Sequence, residues 1–169
     1  ATLAAARDLY GGTSALLQED LPRFGMRVVR FDPFAPGELE AVLAQGARLV
    51  HVESPTNPLC RVVDLERAAR LAHAQGALLS VDATFAPPPL QKTFALGADL
   101  VMHSATKYLG GHSDAIGGVV AGRHEHLARI EAFRRRSGGI LGPDAAWLLA
   151  RSMKPLQLRV RDQAQPAGR

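Results

Sequence analysis

Short apolar runs alternate with stretches of helical periodicity along this chain. Met26-Arg27-Val28-Val29-Arg30-Phe31 is short and β-branched, which predicts a strand. The runs 47–52, 77–81, 99–103 and 116–121 predict further strands. Helices are expected between them. The first covers 14–24, with Thr13 or Ser14 as cap, and the second 36–45, with Pro36 at its start and Gly46 at its end. A third runs from Asp64 to Gln75 on the stripe Leu65, Ala68, Ala69, Leu71 and Ala72, and Gly76 stops it. Two more cover 125–136 and 145–151. Pro87-Pro88-Pro89 predicts an irregular turn, and residues 104–114 a polar, glycine-rich loop. Strands that alternate with helices and are apolar on both faces indicate an α/β fold, a mainly parallel sheet with helices on both faces. Ligand sites in such sheets lie at the carboxyl ends of the strands. Three polar segments are placed there: Ser54-Pro55-Thr56-Asn57-Pro58, Asp82-Ala83-Thr84 and Ser104-Ala105-Thr106-Lys107.

Composition narrows the function classes. The 169 residues suit one domain, and 47% hydrophobic with 21% charged residues is ordinary for a globular chain. No apolar run approaches the roughly 18 residues of a membrane span. Residues 1–8 have no basic flank before an apolar core, so no secretory leader is read there and a cytoplasmic location is expected. Cys60 is the only cysteine, which excludes an internal disulfide and a cysteine-cluster metal site; no metal is expected, and Cys60 reads as a small core residue. The net charge is +4, but only three of the 20 basic residues are lysines and 28 residues are alanine, a compositional bias before it is a functional one. Arg134-Arg135-Arg136 reads as a solvated helix face. Nucleic-acid binding would need a larger basic face with aromatics placed for stacking.

The chemistry concentrates at Ser104-Ala105-Thr106-Lys107-Tyr108, which sets two hydroxyls and an amine at one strand end, followed by Gly110 and Gly111. A lysine that bonds to a carbonyl must be held near it and partly desolvated. Pyridoxal phosphate offers that carbonyl, and a phosphate that wants hydroxyls and backbone N–H groups. Lys107 alone also reads as a surface-loop lysine. Asp82 follows a buried strand, where a carboxylate is costly unless paired; a pyridinium nitrogen would pair it, and so would N–H groups of the turn. Asn57 could reach the cofactor's phenolic oxygen or form an Asx turn before Pro58. Tyr10, at a strand–helix junction, could stack on a flat ring or simply pack.

Together these segments resemble the Cys/Met-metabolism (transsulfuration) family of pyridoxal-phosphate enzymes, of the cystathionine γ-synthase/γ-lyase type. The matching stretches are 10–13 (YGGT), 53–58 (ESPTNP), 81–85 (VDATF) and 104–114 (SATKYLGGHSD), continued by 117–120 and 147–154. The steps from 57 to 82 and from 82 to 107 are each 25 residues. The resemblance implies a fold-type I, aspartate-aminotransferase-like cofactor domain. It implies that Lys107 carries the cofactor as a Schiff base and moves protons. Asp82 then pairs with the pyridine nitrogen, and Ser104 and Thr106 hold the phosphate. Tyr10 stacks on the ring and serves proton transfer to the leaving group, and Asn57 lies near the phenolic oxygen and the substrate. Ala83 departs from the asparagine the family often carries. His112 and His103 read as structural.

The implied reaction is β- or γ-elimination or γ-replacement on an amino-acid substrate of the cystathionine, homocysteine or O-acylhomoserine class, in homotetramers. Methionine γ-lyases often carry cysteine where Gly12 stands, and homoserine-ester sulfhydrylases remain open. Family members are usually more than twice this length. Residues 1–162 resemble the central part of the large domain, and 163–169 read as a divergent tail. The small C-terminal domain, with its carboxylate-binding arginine, has no counterpart, nor has the phosphate-binding glycine turn expected ahead of Ala1. A fragment, inactive by itself, is therefore expected, or a non-catalytic remnant. A nucleotide-binding domain would need GxGxxG or GxxxxGK[ST], and neither is present.

Overall fold

The computed structural model describes residues 1–167. The chain divides into two compact units, residues 1–82 with 93–101 and residues 83–92 with 102–169. Among the described residues, six strands, β1 (Thr2–Ala6), β2 (Arg27–Phe31), β3 (Leu49–Glu53), β4 (Leu78–Asp82), β5 (Leu100–Ser104) and β6 (Gly118–Gly122), follow the order β2-β1-β3-β4-β5-β6, and β5 holds residues of both units.

In the first unit, β1, β2, β3 and β4 are parallel. The register sets Leu3 beside Val28 and Leu49, and Leu49 beside Leu78. Ala4, Ala5, Ala6, Val50, Val52, Leu79 and Val81 are fully buried, as expected of strands covered on both faces. The carboxyl ends of β3 and β4 are different. His51, Glu53 and Asp82 are also buried there, so these strands are not apolar on both faces as their sequences suggest. Successive side chains alternate faces, so His51 and Glu53 share one face of β3, as Ser80 and Asp82 share one face of β4.

Helix boundaries follow backbone chemistry more closely than the apolar stripe. The expected helix 14–24 is instead α1 (Gly11–Ala15), a wider turn at Leu16–Asp20 and a tight 3-10 turn at Leu21–Phe24. Pro22 has no N–H for an α ladder, and Gly25, at φ 73°, ends the segment. The α2 helix (Glu38–Leu43) is shorter than 36–45 because Gly37 turns left-handed at φ 82° before it. The α3 helix (Leu65–Ala74) begins as read: Asp64 Oδ1 accepts from Arg67 N at 2.9 Å. Cys60 is exposed in a loop at φ 52°, not in the core, because its N–H closes a turn onto the Thr56 carbonyl at 2.7 Å.

The second unit contains the end of β5 (Leu100–Ser104), β6 (Gly118–Gly122), α4 (His124–Ser137), α5 (Pro143–Met153) and α6 (Leu156–Ala167). Ala105, Leu109 and Leu149 form a buried cluster, with Val119, Leu141 and Leu156 packed against it. The α6 helix was not read from the sequence; it takes in residues 163–167 of the expected tail, and residues 168–169 lie outside the described residues. Arg134, Arg135 and Arg136 are exposed on α4, as a solvated face should be. Among the described residues, no helix is long and apolar enough to cross a membrane.

The Asp64 cap sets one expected outcome. Asp64→Ala should lower the stability of the first unit by about 1 kcal/mol, the usual cost of a lost N-cap side chain, as a shift in the urea unfolding midpoint.

Candidate active site

The first unit holds Tyr10, Asn57 and Asp82. Tyr10 caps α1, and its ring is more than half exposed. A Cβ on Gly12 would approach Tyr10 Cε1 to 2.7 Å, so glycine at 12 leaves the ring its position. Asn57 is half-buried in the loop after β3. That loop is closed by Thr56, whose Oγ1 accepts from Arg61 N at 3.1 Å, and by Ser54, whose Oγ accepts from Val63 N at 3.1 Å. Ser54-Pro55 and Asn57-Pro58 are cis. Asp82 ends β4 with 7% exposure, and its carbonyl accepts from Ser54 N at 3.0 Å.

What joins these residues is a side chain to which the sequence reading gave no role. Glu53 is 3% exposed and stands in register with Asp82. Its Oε2 accepts the backbone N–H of Tyr10 at 2.6 Å. One carboxylate thus fixes the main chain at a candidate site residue. Burial pushes its pKa up to about 7, with the Asp82 charge adding to the rise, against the backbone N–H groups of Tyr10 and Asn57, which favour the anion. His51 lies two residues earlier, with Nδ1 3.1 Å from Ser80 Oγ. Burial, then the Arg30 charge, lowers its pKa, and Asp82 opposes them, so the ring is held neutral. The available signal was the polar alternation His51-Val52-Glu53 and Ser80-Val81-Asp82 in otherwise apolar strands.

The second unit holds Ser104, Thr106 and Lys107. Ser104 ends β5, and its N–H donates to Thr84 Oγ1 at 2.8 Å, a role for Thr84 that the sequence did not disclose. Ala105 N donates to the Gly117 carbonyl at 2.8 Å. Thr106 Oγ1 accepts from Gly117 N at 3.1 Å and donates to the Gly117 carbonyl at 3.4 Å. Lys107 is exposed, within a turn in which Gly110 N donates to Ala105 O and Gly111 N to Lys107 O. His112 Nδ1 donates to the Gly110 carbonyl at 2.7 Å, a structural role as expected; His103 is buried. Among the described residues, no cluster of His, Cys, Asp and Glu could hold a metal ion.

Glu53 gives a signed pH dependence. Its folded pKa, about 7, lies above the ordinary value of 4.5, so the folded chain holds a proton that the unfolded chain releases between those values. The stability Glu53 contributes is fully present below 4.5 and is lost as pH rises through 7. Urea midpoints of the wild type should therefore fall relative to those of Glu53→Gln between pH 4.5 and pH 8. Parallel curves would show that Glu53 titrates normally.

The family of Cys/Met metabolism pyridoxal-phosphate-dependent enzymes matches residues 1–169. Cystathionine gamma-synthase 1, chloroplastic, of Nicotiana tabacum is 44% identical over 168 residues, covering 99% of this chain and 31% of its own. Cystathionine gamma-lyase of Bacillus subtilis is 43% identical over 154 residues, 90% of this chain and 41% of its own. Among solved structures, cystathionine gamma-lyase from Lactobacillus plantarum complexed with L-serine gives a TM-score of 0.88 at 40% identity, over 93% of this chain and 42% of that one. Cystathionine gamma synthase from Xanthomonas oryzae pv. oryzae, in complex with aminoacrylate and cysteine, gives 0.86 at 39%, over 93% and 41%. The chain thus spans between about a third and two fifths of the length of these relatives. The fold is that of the fold-type I pyridoxal-phosphate enzymes.

Each unit offers groups whose chemistry suits that cofactor. In the first, a buried carboxylate at a strand end suits a protonated ring nitrogen; in the second, a primary amine suits an aldehyde and two hydroxyls beside it a phosphate, although Lys107 is exposed rather than partly desolvated as expected. The long Thr106 bond to the Gly117 carbonyl is the one that must be exchanged for Thr106 to donate elsewhere. The matched span and the fold agree: the chain belongs to the Cys/Met metabolism family of pyridoxal-phosphate-dependent enzymes.

Proposed function

We propose that this chain is part of the large cofactor-binding domain of an enzyme that carries out β- or γ-elimination or γ-replacement on sulfur amino acids, of the cystathionine γ-synthase/γ-lyase type. The observation that carries the reading is Lys107, exposed in a hydrogen-bonded turn directly after β5 and preceded by the Ser104 and Thr106 hydroxyls. Pyridoxal phosphate, when bound, supplies an electron sink for the charge left at the substrate Cα. The remaining work falls to the chain. The Lys107 amine accepts the Cα proton and returns it. The Asp82 carboxylate would pair with the ring nitrogen and favour its protonated form. Ser104 and Thr106 would hold the phosphate. The Tyr10 ring would stack on the cofactor, and its hydroxyl would serve the leaving sulfur or oxygen. The Asn57 amide would bind the phenolic oxygen.

The relatives named as gamma-synthase and gamma-lyase favour that substrate class. Gly12 agrees with that class rather than with the methionine γ-lyases, which often carry cysteine at this position. Turnover, a homo-oligomeric assembly and a cytoplasmic location belong to the same proposal, for a protein that includes the parts present in the longer relatives. Taken by themselves, the 169 residues should release no ketoacid from cystathionine above the rate with free cofactor.

Borohydride reduction of cofactor-treated protein followed by peptide mapping should place the label on Lys107. Label on Lys92 or Lys154 instead would refute the assignment. In the longer enzyme, Asp82→Asn should cut kcat by at least about 10²-fold, the scale of losing one preorganised charge, while the fold stays intact. An unchanged kcat would make Asp82 a turn carboxylate only.

A further inference from the structure

Arg159 lies half-buried on α6, far in sequence from the turn it holds. Its Nη1 donates to the Tyr108 carbonyl at 3.1 Å. Its Nη2 donates to the Leu109 carbonyl at 3.4 Å and to the Ser152 carbonyl at 2.9 Å. Tyr108 and Leu109 are the two residues after Lys107. Ser152 lies in the last turn of α5, where carbonyls lack helical partners and a cation is favoured. Arg159 Nε has no partner. The guanidinium thus places all its bonds on one edge, toward the turn and the end of α5. The flat fork suits three divergent carbonyls; an ammonium, a single point, does not.

The glycines of the turn fit this arrangement. Gly111 has φ 74°, and a Cβ there would collide with the Arg159 guanidinium. Gly110 brings its backbone so close to the Ala105 carbonyl that a Cβ would stand 2.8 Å from the oxygen. Arg151, by comparison, lies 5.7 Å over the Trp147 ring and is a surface contact.

We propose that Arg159 is the positioning residue of the Lys107 turn: its guanidinium fixes the carbonyls of Tyr108 and Leu109, and Gly111 is glycine so that the guanidinium can enter. The proposal rests on the reading that Lys107 carries the cofactor. Arg159 itself touches no reacting atom. It sets the backbone from which the lysine amine is presented.

Two measurements on the 169-residue chain test this. In hydrogen exchange, Arg159→Met should speed the Gly110 and Gly111 amides at least tenfold and leave α4 unchanged. Arg159→Lys should keep the fold and still exchange at least fivefold faster at those amides; it carries the comparison alone if Arg159→Met does not fold. In the second measurement, each protein is treated with pyridoxal phosphate and borohydride, and the label is divided among Lys92, Lys107 and Lys154. The Lys107 share should fall at least fivefold in both variants. Exchange that is unchanged at the turn, or that rises equally in α4, overturns the proposal. So does faster exchange with an unaltered Lys107 share, which would make Arg159 a structural residue only. No Lys107 label in the wild type would instead overturn the reading on which the proposal rests.

Discussion

A buried carboxylate gripping the main chain is the constraint on which the chemistry of the first unit depends. Glu53 accepts from Tyr10 N while standing in register with Asp82. A hydrogen bond to a charged group contributes about 1.5–3 kcal/mol, so the Tyr10 bond, helped by the nearby Asn57 N–H, should hold a carboxylate well toward its anion. The pKa nevertheless rises to about 7, so burial and the neighbouring Asp82 charge together outweigh those N–H groups. The arrangement is a strained compromise, with two carboxylates at adjacent strand ends and His51 kept neutral two residues back. Sites that perturb titration this far are where functional groups concentrate, because stability alone would have placed apolar residues there.

Much of this was legible in the sequence, and the reasons differ by element. The strands were readable because parallel strands covered on both faces leave apolar runs such as Ala77-Leu78-Leu79. The α3 helix was readable because Asp64 at one end and Gly76, at φ 66°, at the other mark it chemically. The segment after Tyr10 misled because its apolar stripe continues past Pro22, where the backbone cannot. Cys60 misled because small apolar character says nothing about a turn that needs a left-handed residue. Lys107, Asp82 and Asn57 stood out as polar groups at strand ends. Glu53 did not, because its partner is a backbone N–H group, which leaves no mark on the identity of residue 10. Arg159 was hidden for the same reason, since it binds carbonyls alone.

That shared reason is also a design argument. Each unit ties down the backbone beside its candidate site residues with a charged side chain bonded to main-chain atoms. In the first unit an anion accepts an N–H group, and in the second a cation donates to C=O groups. Bonds to the main chain hold a loop whatever side chains it displays, so Tyr10 N stays on Glu53 independently of the ring that Tyr10 presents. The two devices differ in their response to pH. A guanidinium keeps its charge wherever a protein stays folded. A carboxylate with a pKa of about 7 does not, and when protonated it keeps a weaker grip on the Tyr10 N–H. Sensitivity to neutral pH therefore belongs to the segment carrying Tyr10, and the turn carrying Lys107 is insulated from it by the choice of arginine.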